Sequence, residues 1–367
     1  MSVMSKSEVT TSALRDLYAS YGYAQYRMRK FEEYELYVRN KSFLISDHMI
    51  TFTDREGRLM ALKPDVTLSI VKSAKDSEGV EKVYYHESVY RVDKGSDSFH
   101  EITQVGLECI GDVDEYCVGE VLLLAQKSLS RISEDYVLDI SHLGILSDLL
   151  DGAGLSAEEE GKLLACIGEK NSHGIATICR ENGVDESKAA ALCRLATLYG
   201  EADSVLPVLA SMPLGEGGRA ALAALSRALN ALSGTDARGR VRVDFSVVND
   251  MNYYSGIVFR GFVAGVPAGV LSGGEYDYLL RKMGKRGGAI GFAVYPDLLD
   301  TVADTRSAYD VDAVVLYDTN TDHAALRAAV DRLIEEGKRV LAARALPEKK
   351  TYRECYRLTE GGEPVHA

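Results

Sequence analysis

Apolar residues Leu14, Leu17, Tyr18 and Tyr21 recur at the spacing of one helix face and stop at Gly22, which predicts an amphipathic N-terminal helix. Beyond it the period changes. Residues Met49–Phe52 and Arg58–Leu62 flank Asp54-Arg55-Glu56-Gly57, a hairpin signal with glycine closing the turn. Lys63-Pro64-Asp65-Val66-Thr67 then opens a new element, in which Val66, Ile70 and Val71 return to helical spacing up to Lys72, and Asp65 stands where a carboxylate caps a helix N-terminus. Two long alternating runs follow, Lys82 to Lys94 and Phe99 to Gly111, joined by a short polar loop, and they predict a pair of strands.

From His142 to Leu232 the chain is rich in Ala, Leu, Glu and Lys, with repeated helix starts such as Ser156 to Glu160, and reads as an all-helical insertion. Alternation resumes at Val241–Val247 and again at Ile257–Val263, with Asn249 to Gly256 turning between them. A glycine-rich hairpin is expected next, from Ser272–Leu280 and Gly287–Val294, with glycines where backbone must turn or approach something closely. The last segment predicts a short βαβ unit: strand Asp312–Tyr317, a helix carrying Leu326, Val330, Leu333 and Ile334 before Gly337, and strand Arg339–Ala342. The fold class is therefore α+β. Residues 1–141 and 237–305 form the core, 142–236 the helical insertion and 306–367 a small C-terminal α/β unit.

The second long strand carries the first chemical hint. Its even positions, Ile102, Gln104, Gly106, Glu108 and Ile110, share one face. At about 3.3 Å per residue the two polar side chains stand roughly 13 Å apart, and Gly106 leaves a gap between them with room for a small metabolite. The alternative is a half-solvated strand with two exposed polar residues and a glycine at a bulge.

Composition narrows the class. At 367 residues the chain exceeds what one core supports, and its hydrophobic share of 46% and charged share of 26% are ordinary, Trp alone being absent. Forty-two Lys and Arg against 55 Asp and Glu give a net charge of −13, which disfavours a broad nucleic-acid surface. The six cysteines show no CxxC pair and no neighbouring His at ligand spacing, so neither a metal site nor a disulfide framework is expected, and they read as buried thiols of a reducing compartment. With no signal segment and no apolar run of membrane-spanning length, the expected location is the cytoplasm.

Across nearly its whole length the chain resembles the histidyl-tRNA synthetase catalytic core, a class II aminoacyl-tRNA synthetase fold built on an antiparallel sheet. It resembles still more closely the ATP phosphoribosyltransferase regulatory subunits, the paralogues of that synthetase used in histidine biosynthesis. Lys63 to Thr67 matches the family's ArgProGluGlyThr, so the resemblance puts Asp65 and Thr67 where the family grips a ligand's α-amino group. Val89-Tyr90-Arg91 places Arg91 on the motif 2 arginine, and Gln104 to Glu108 places Gln104 and Glu108 among the histidine-pocket residues. Asn249 to Tyr254 replaces ArgGlyLeuAspTyrTyr: Tyr253 and Tyr254 are kept, Tyr254 beside the imidazole, and the arginine becomes Asn249. In the match to GlyGlyArgTyrAsp, Glu275 stands for arginine.

The departures bear on chemistry. Leu298 occupies the position of the motif 3 arginine that clamps ATP, and neither it nor Asn249 can supply arginine's bidentate fork. By analogy with oxyanion-hole donors each lost contact costs roughly 3 kcal/mol or more, so two suppress adenylate formation by at least about 10⁴-fold. The resemblance thus implies a regulator with no catalytic residue, no cofactor and no metal. It would bind histidine as effector through Asp65, Thr67, Arg91, Gln104, Glu108, Tyr253 and Tyr254. Its implied partner is a short-form ATP phosphoribosyltransferase catalytic subunit, met by a homodimer of this chain inside a hetero-oligomer. Asp65 is one methylene shorter than the family's glutamate, which keeps its reading as a helix cap open. Residues Arg27 to Tyr34 lack the proline of motif 1, and the C-terminal unit is short for an anticodon-binding domain. A histidyl-tRNA synthetase-like enzyme and a free-standing module sensing histidine or tRNA are the alternatives.

Overall fold

The computed structural model describes residues 5–40, 49–74, 79–92, 98–234, 239–247, 253–300, 309–358 and 364–366. Contacts divide the chain into two compact units, one of residues 9–299 and one of residues 300–367 with the N-terminal stretch through Glu8. The chain begins with α1 (Lys6–Ser20), β1 (Ala24–Gln25), β2 (Phe31–Glu33), α2 (Tyr34–Arg39), β3 (Thr51–Thr53), β4 (Leu59–Leu62) and α3 (Thr67–Ser73). It continues through β5 (Val80–Val92), β6 (Phe99–Gly111), α4 (Glu115–Ile132) and β7 (Tyr136–His142). The helical stretch follows: α5 (Leu143–Leu150), α6 (Ala157–Gly168), α7 (Ser172–Glu181), α8 (Glu186–Thr197), the two-residue β8 (Tyr199–Gly200), α9 (Ala202–Ala210) and α10 (Glu216–Ala231). Strand β9 (Val241–Asp244), β10 (Ile257–Val263), β11 (Leu271–Glu275), α11 (Asp277–Lys282), β12 (Gly288–Val294) and α12 (Asp297–Asp300) complete the large unit.

Among the described residues nine strands form one sheet in the order β1-β5-β6-β12-β11-β10-β7-β9-β8. Its centre is antiparallel, and parallel pairs occur only toward the flanks, β1 with β5 and β7 with β9. A smaller sheet, β2-β4-β3, holds the expected hairpin, whose turn ends at Gly57 with φ +83°. Alternation along β6 sends its two faces to two cores. Val105, Leu107 and Cys109 pack with α1 and with Val121, Leu122, Leu124 and Ala125 of α4. Ile110, on the opposite face, joins Val83, Tyr85 and Val89 of β5, Leu68 and Ile70 of α3, and Leu279 after β11. The core beneath α4 runs on without interruption into α5–α10.

Three local expectations change. Val241–Val247 keeps strand geometry only to Asp244, because the Asp244 carboxylate accepts the Ser246 N–H at 2.8 Å and Phe245 turns into the core, leaving a 3₁₀ turn over Phe245–Val247. The glycine-rich strands β11 and β12 are paired as expected, but α11 connects them rather than a tight turn. The C-terminal unit holds β13 (Val311–Leu316), α13 (His323–Glu335), β14 (Val340–Ala343), β15 (Tyr352–Leu358) and β16 (Pro364–His366). Its sheet runs β14-β13-β15-β16, two strands beyond the expected βαβ, with Leu333 of α13 packed on Ala313, Val315 and Tyr356. No helix among the described residues is long and apolar enough to cross a membrane, and all six cysteines are unpaired thiols.

The helical stretch is held together by caps. Ser156 and Glu159 form a reciprocal capping box at α6, and Asp185 accepts from the N–H groups of Ser187 and Lys188 at α8. Helix α10 is capped from a distance: Asp148 on α5 accepts Gly215 N–H and Gly218 N–H, both at 2.8 Å. Asp148→Ala is expected to lower stability by about 0.5–2 kcal/mol, with Asp148→Asn intermediate because it keeps one acceptor oxygen for the two N–H groups. Urea unfolding followed by far-ultraviolet circular dichroism reads this, and an unshifted midpoint in Asp148→Ala would mean that water serves these N–H groups as well.

Candidate functional site

The loop leading into α3 is fixed before any ligand is considered. The Lys63 ammonium, 1% exposed, is paired with Glu87 of β5, its backbone N–H reaches Lys30 O at 3.1 Å, and its carbonyl accepts Tyr90 N–H at 2.9 Å. An ammonium so buried requires that partner. This anchoring sets Pro64 and Asp65 beside β5, where Arg91 Nε donates to Pro64 O at 2.9 Å. Asp65 Oδ1 accepts Leu68 N–H at 2.9 Å, so the carboxylate does cap α3.

Above this loop lies a cavity of about 540 Å³, counted to its open mouth. All seven residues singled out in the sequence line it: Asp65, Thr67, Arg91, Gln104, Glu108, Tyr253 and Tyr254. Asp65 is thus both cap and cavity wall. Gln104 and Glu108 are 4% and 2% exposed, which removes the half-solvated strand as a description. There is also no bulge at Gly106, which pairs in regular register with Tyr85 and Ala293. The gap it leaves is already filled, however. A Cβ there would lie 2.5 Å from the Tyr85 hydroxyl oxygen, so the Tyr85 ring and not a ligand covers Gly106. The free space lies beside that ring, bounded by Ser272, Tyr276, Phe292 and Tyr295.

Glu108 is held from two sides. Thr67 Oγ1 donates to one carboxyl oxygen at 2.8 Å and the Tyr276 hydroxyl to the other at 2.5 Å. It lies across Gly291, its register partner on β12, where a Cβ would sit 1.7 Å from Glu108 Oε2. Burial pushes the Glu108 carboxyl up to about 8, against the opposing pull of the Tyr276 and Thr67 hydrogen bonds, and the Asp65 charge raises it further. Burial also raises Asp65, offset by the Leu68 N–H and by the charge of Arg91. Tyr253 meets Tyr254 edge-on with ring centres 4.7 Å apart and lies 6.1 Å from the Tyr276 ring. Among the described residues the result is an aromatic cavity with two carboxyl groups, one guanidinium and several hydroxyl and amide groups. Such a lining suits a small ligand with basic and hydrogen-bond-donating ends and a single carboxylate.

Tyr85, Ser272, Tyr276 and Tyr295 were not singled out in the sequence. Tyr276 follows Gly273-Gly274-Glu275, and Tyr295 follows the run Gly291 to Val294, so the glycines that admit close approach were the available signal. Glu275 itself is not in the cavity lining; it turns away and accepts Ile257 N–H at 2.5 Å. Leu298, at the motif 3 position, is half-buried against the core beneath the sheet. Asn249 lies outside the described residues.

Comparison with known proteins agrees with this architecture. The histidyl-tRNA synthetase family model matches residues 2–299. The ATP phosphoribosyltransferase regulatory subunit of Caldanaerobacter subterraneus subsp. tengcongensis is 30% identical over 286 residues, 76% of this chain and 74% of the relative. The crystal structure of an ATP phosphoribosyltransferase regulatory subunit/histidyl-tRNA synthetase from Bacillus halodurans superposes with a TM-score of 0.74 at 25% identity, covering 92% of this chain and 88% of that one. An ATP phosphoribosyl transferase (HisG:HisZ) complex from Thermotoga maritima contains a chain of the same fold, with a TM-score of 0.61 at 21% identity over 78% of this chain and 96% of that one. A 13-residue strand pair carrying the motif 2 arginine, a cavity assembled from the family's segments and matches over most of the sequence lead to one conclusion: the chain belongs to the histidyl-tRNA synthetase family, among its ATP phosphoribosyltransferase regulatory subunits.

Proposed function

We propose that the chain is a non-catalytic subunit that binds free histidine in this cavity, activates a short-form ATP phosphoribosyltransferase catalytic subunit and transmits feedback inhibition to it. The observation that carries the reading is a single cavity lined by all seven candidate residues, with Leu298 half-buried against the core at the position that the resemblance gives to the ATP clamp. Histidine would place its α-ammonium toward Asp65, Thr67 and Gln104, its carboxylate toward Arg91, and its imidazole between Glu108 and the Tyr254 hydroxyl. Gln104 is 4% exposed and lines the cavity, which supports a role toward a ligand.

The partner follows from the relatives named as regulatory subunits and from the related chain found in complex with a phosphoribosyltransferase. A homodimer of this chain within a cytoplasmic hetero-oligomer fits that assembly. Coupling between the two sites need only be about 1–3 kcal/mol to change catalytic-subunit activity several-fold or more.

Phosphoribosyl-ATP formation by the short catalytic subunit, measured with and without this chain and with added histidine, tests the reading. Activity is expected only with the chain present, and histidine is expected to suppress it. An inert chain would sink the proposal. Glu108→Ala and Tyr254→Phe should weaken inhibition without abolishing assembly, Glu108→Ala by about 5- to 150-fold for a ligand group left unpartnered at roughly 1–3 kcal/mol. Gly291→Ala should also weaken it, because the added methyl would lie 1.7 Å from Glu108 Oε2 and displace the carboxylate. Unchanged inhibition in all three variants would move the histidine site elsewhere.

A further inference from the structure

The groups around Glu108 define its recognition chemistry, taken element by element. The start of α3 offers the Thr67 hydroxyl and the Asp65 carboxyl, and β5 offers the Tyr85 phenol and Arg91. Tyr253 and Tyr254 face it from the segment before β10, Tyr276 from the end of β11, and β12 presents only backbone at Gly291. Among these the one cation is Arg91, which is tied through Nε to Pro64 O and whose charge acts on Asp65. Glu108 is 2% exposed, receives two neutral hydroxyl donors and shares its cavity with a second acid. An anion so placed is costly to desolvate without a counter-charge.

We propose that Glu108 recognises its ligand as a carboxylic acid, giving its proton to an unprotonated imidazole nitrogen, with Tyr276 as the residue that positions the carboxyl. The proposal rests on the histidine reading above and assigns that site its protonation state. The raised pKa of Glu108, pushed by burial to about 8, supports it. One proton is present before binding, on the carboxyl, and one after, between carboxyl oxygen and ring nitrogen, so none is exchanged with solvent near neutral pH. The second ring nitrogen keeps its N–H and donates it to the Tyr254 hydroxyl. The arrangement is a specificity filter: a lysine or arginine head group has only donors and meets no anion at this end, whereas imidazole offers the acceptor that an acid needs.

Titration calorimetry of the full chain with histidine, in phosphate and in Tris at about pH 7.2, reads the proton balance directly. The expected result is close to no proton exchanged, with affinity falling above about pH 8 toward tenfold per pH unit as the acid is lost. Glu108→Gln, a neutral donor of the same shape, is expected to bind near neutral pH within about tenfold of the wild type and to lack that alkaline fall. The ligand's own α-amino titration is common to both proteins, so the difference between their profiles isolates Glu108. Tyr276→Phe removes a hydrogen bond that favours the anion, so its alkaline limb should move to higher pH; a merely structural role would lower affinity without moving the limb. Release of about one proton near neutral pH, with affinity climbing through pH 8, overturns the proposal, as does loss of binding in Glu108→Gln alone. Absence of histidine binding by the wild-type chain would instead remove the underlying reading of the site.

Discussion

The pairing of β5 with β6 is the constraint on which the rest of the large unit depends. Thirteen residue pairs run in unbroken register from Val80 opposite Gly111 to Val92 opposite Phe99. Partners across a ladder share a face, so this register puts Val83, Tyr85, Val89 and Arg91 on the side of Ile102, Gln104, Gly106, Glu108 and Ile110. A slip of one residue would bring Tyr84 and His86 to the cavity and send the apolar set that packs under α4 to the wrong side. Both faces resist it, because each is buried against a core of its own.

Electrostatics divide the cavity face into two kinds of site. The Lys63–Glu87 pair is closed: two opposite charges meet under almost complete burial, and the loop bearing Pro64 and Asp65 is held in place as a consequence. Among the described residues, Glu108 is satisfied as a hydrogen-bond acceptor by Thr67 and Tyr276 with no cation beside it, and the charge that acts on Asp65 is that of Arg91. An excess of acid over base in a small aromatic enclosure is tolerated because protonation removes the charge. The enclosure that these groups line is of the polar, concave kind that binding sites use.

Much of this was legible in the sequence because it depends on short-range periodicity. The alternation of Phe99–Gly111 assigned Gln104 and Glu108 to one face, and Asp65 read as a cap from its position alone; both hold. What the sequence left open depends on long-range packing. Whether Gln104 and Glu108 faced solvent depended on α3 and α11 covering that face, and the space over Gly106 depended on Tyr85, a residue 21 positions earlier whose role is visible only once the register is known. Tyr276 was hidden for a similar reason, since it reaches Glu108 across 168 residues of chain. The strand Tyr352–Leu358 was missed because Arg353, Glu354 and Arg357 interrupt its apolar residues, and its single buried contact, Tyr356, has meaning only against α13 and β13.

On the proposed reading, a class II core can lose ATP chemistry and keep an amino-acid cavity because the two need different side chains. The cavity needs neutral hydroxyls, carboxyl groups and backbone without side chains at Gly291, all supplied by β5, β6, β11 and β12 and by the start of α3. Stabilising a phosphate needs fixed cations with bidentate reach, and a leucine half-buried against the core supplies neither charge nor donor. Replacing such a cation by an apolar residue costs the fold little and removes a group that would otherwise need its own counter-ion. The amino-acid side is under no comparable pressure. Its polar groups brace one another within the cavity wall, Thr67 and Tyr276 on Glu108 and Leu68 N–H on Asp65. On the proposed reading, a preorganised effector site of this kind orders few groups on binding, which leaves more of the ligand's interaction energy for coupling to a partner.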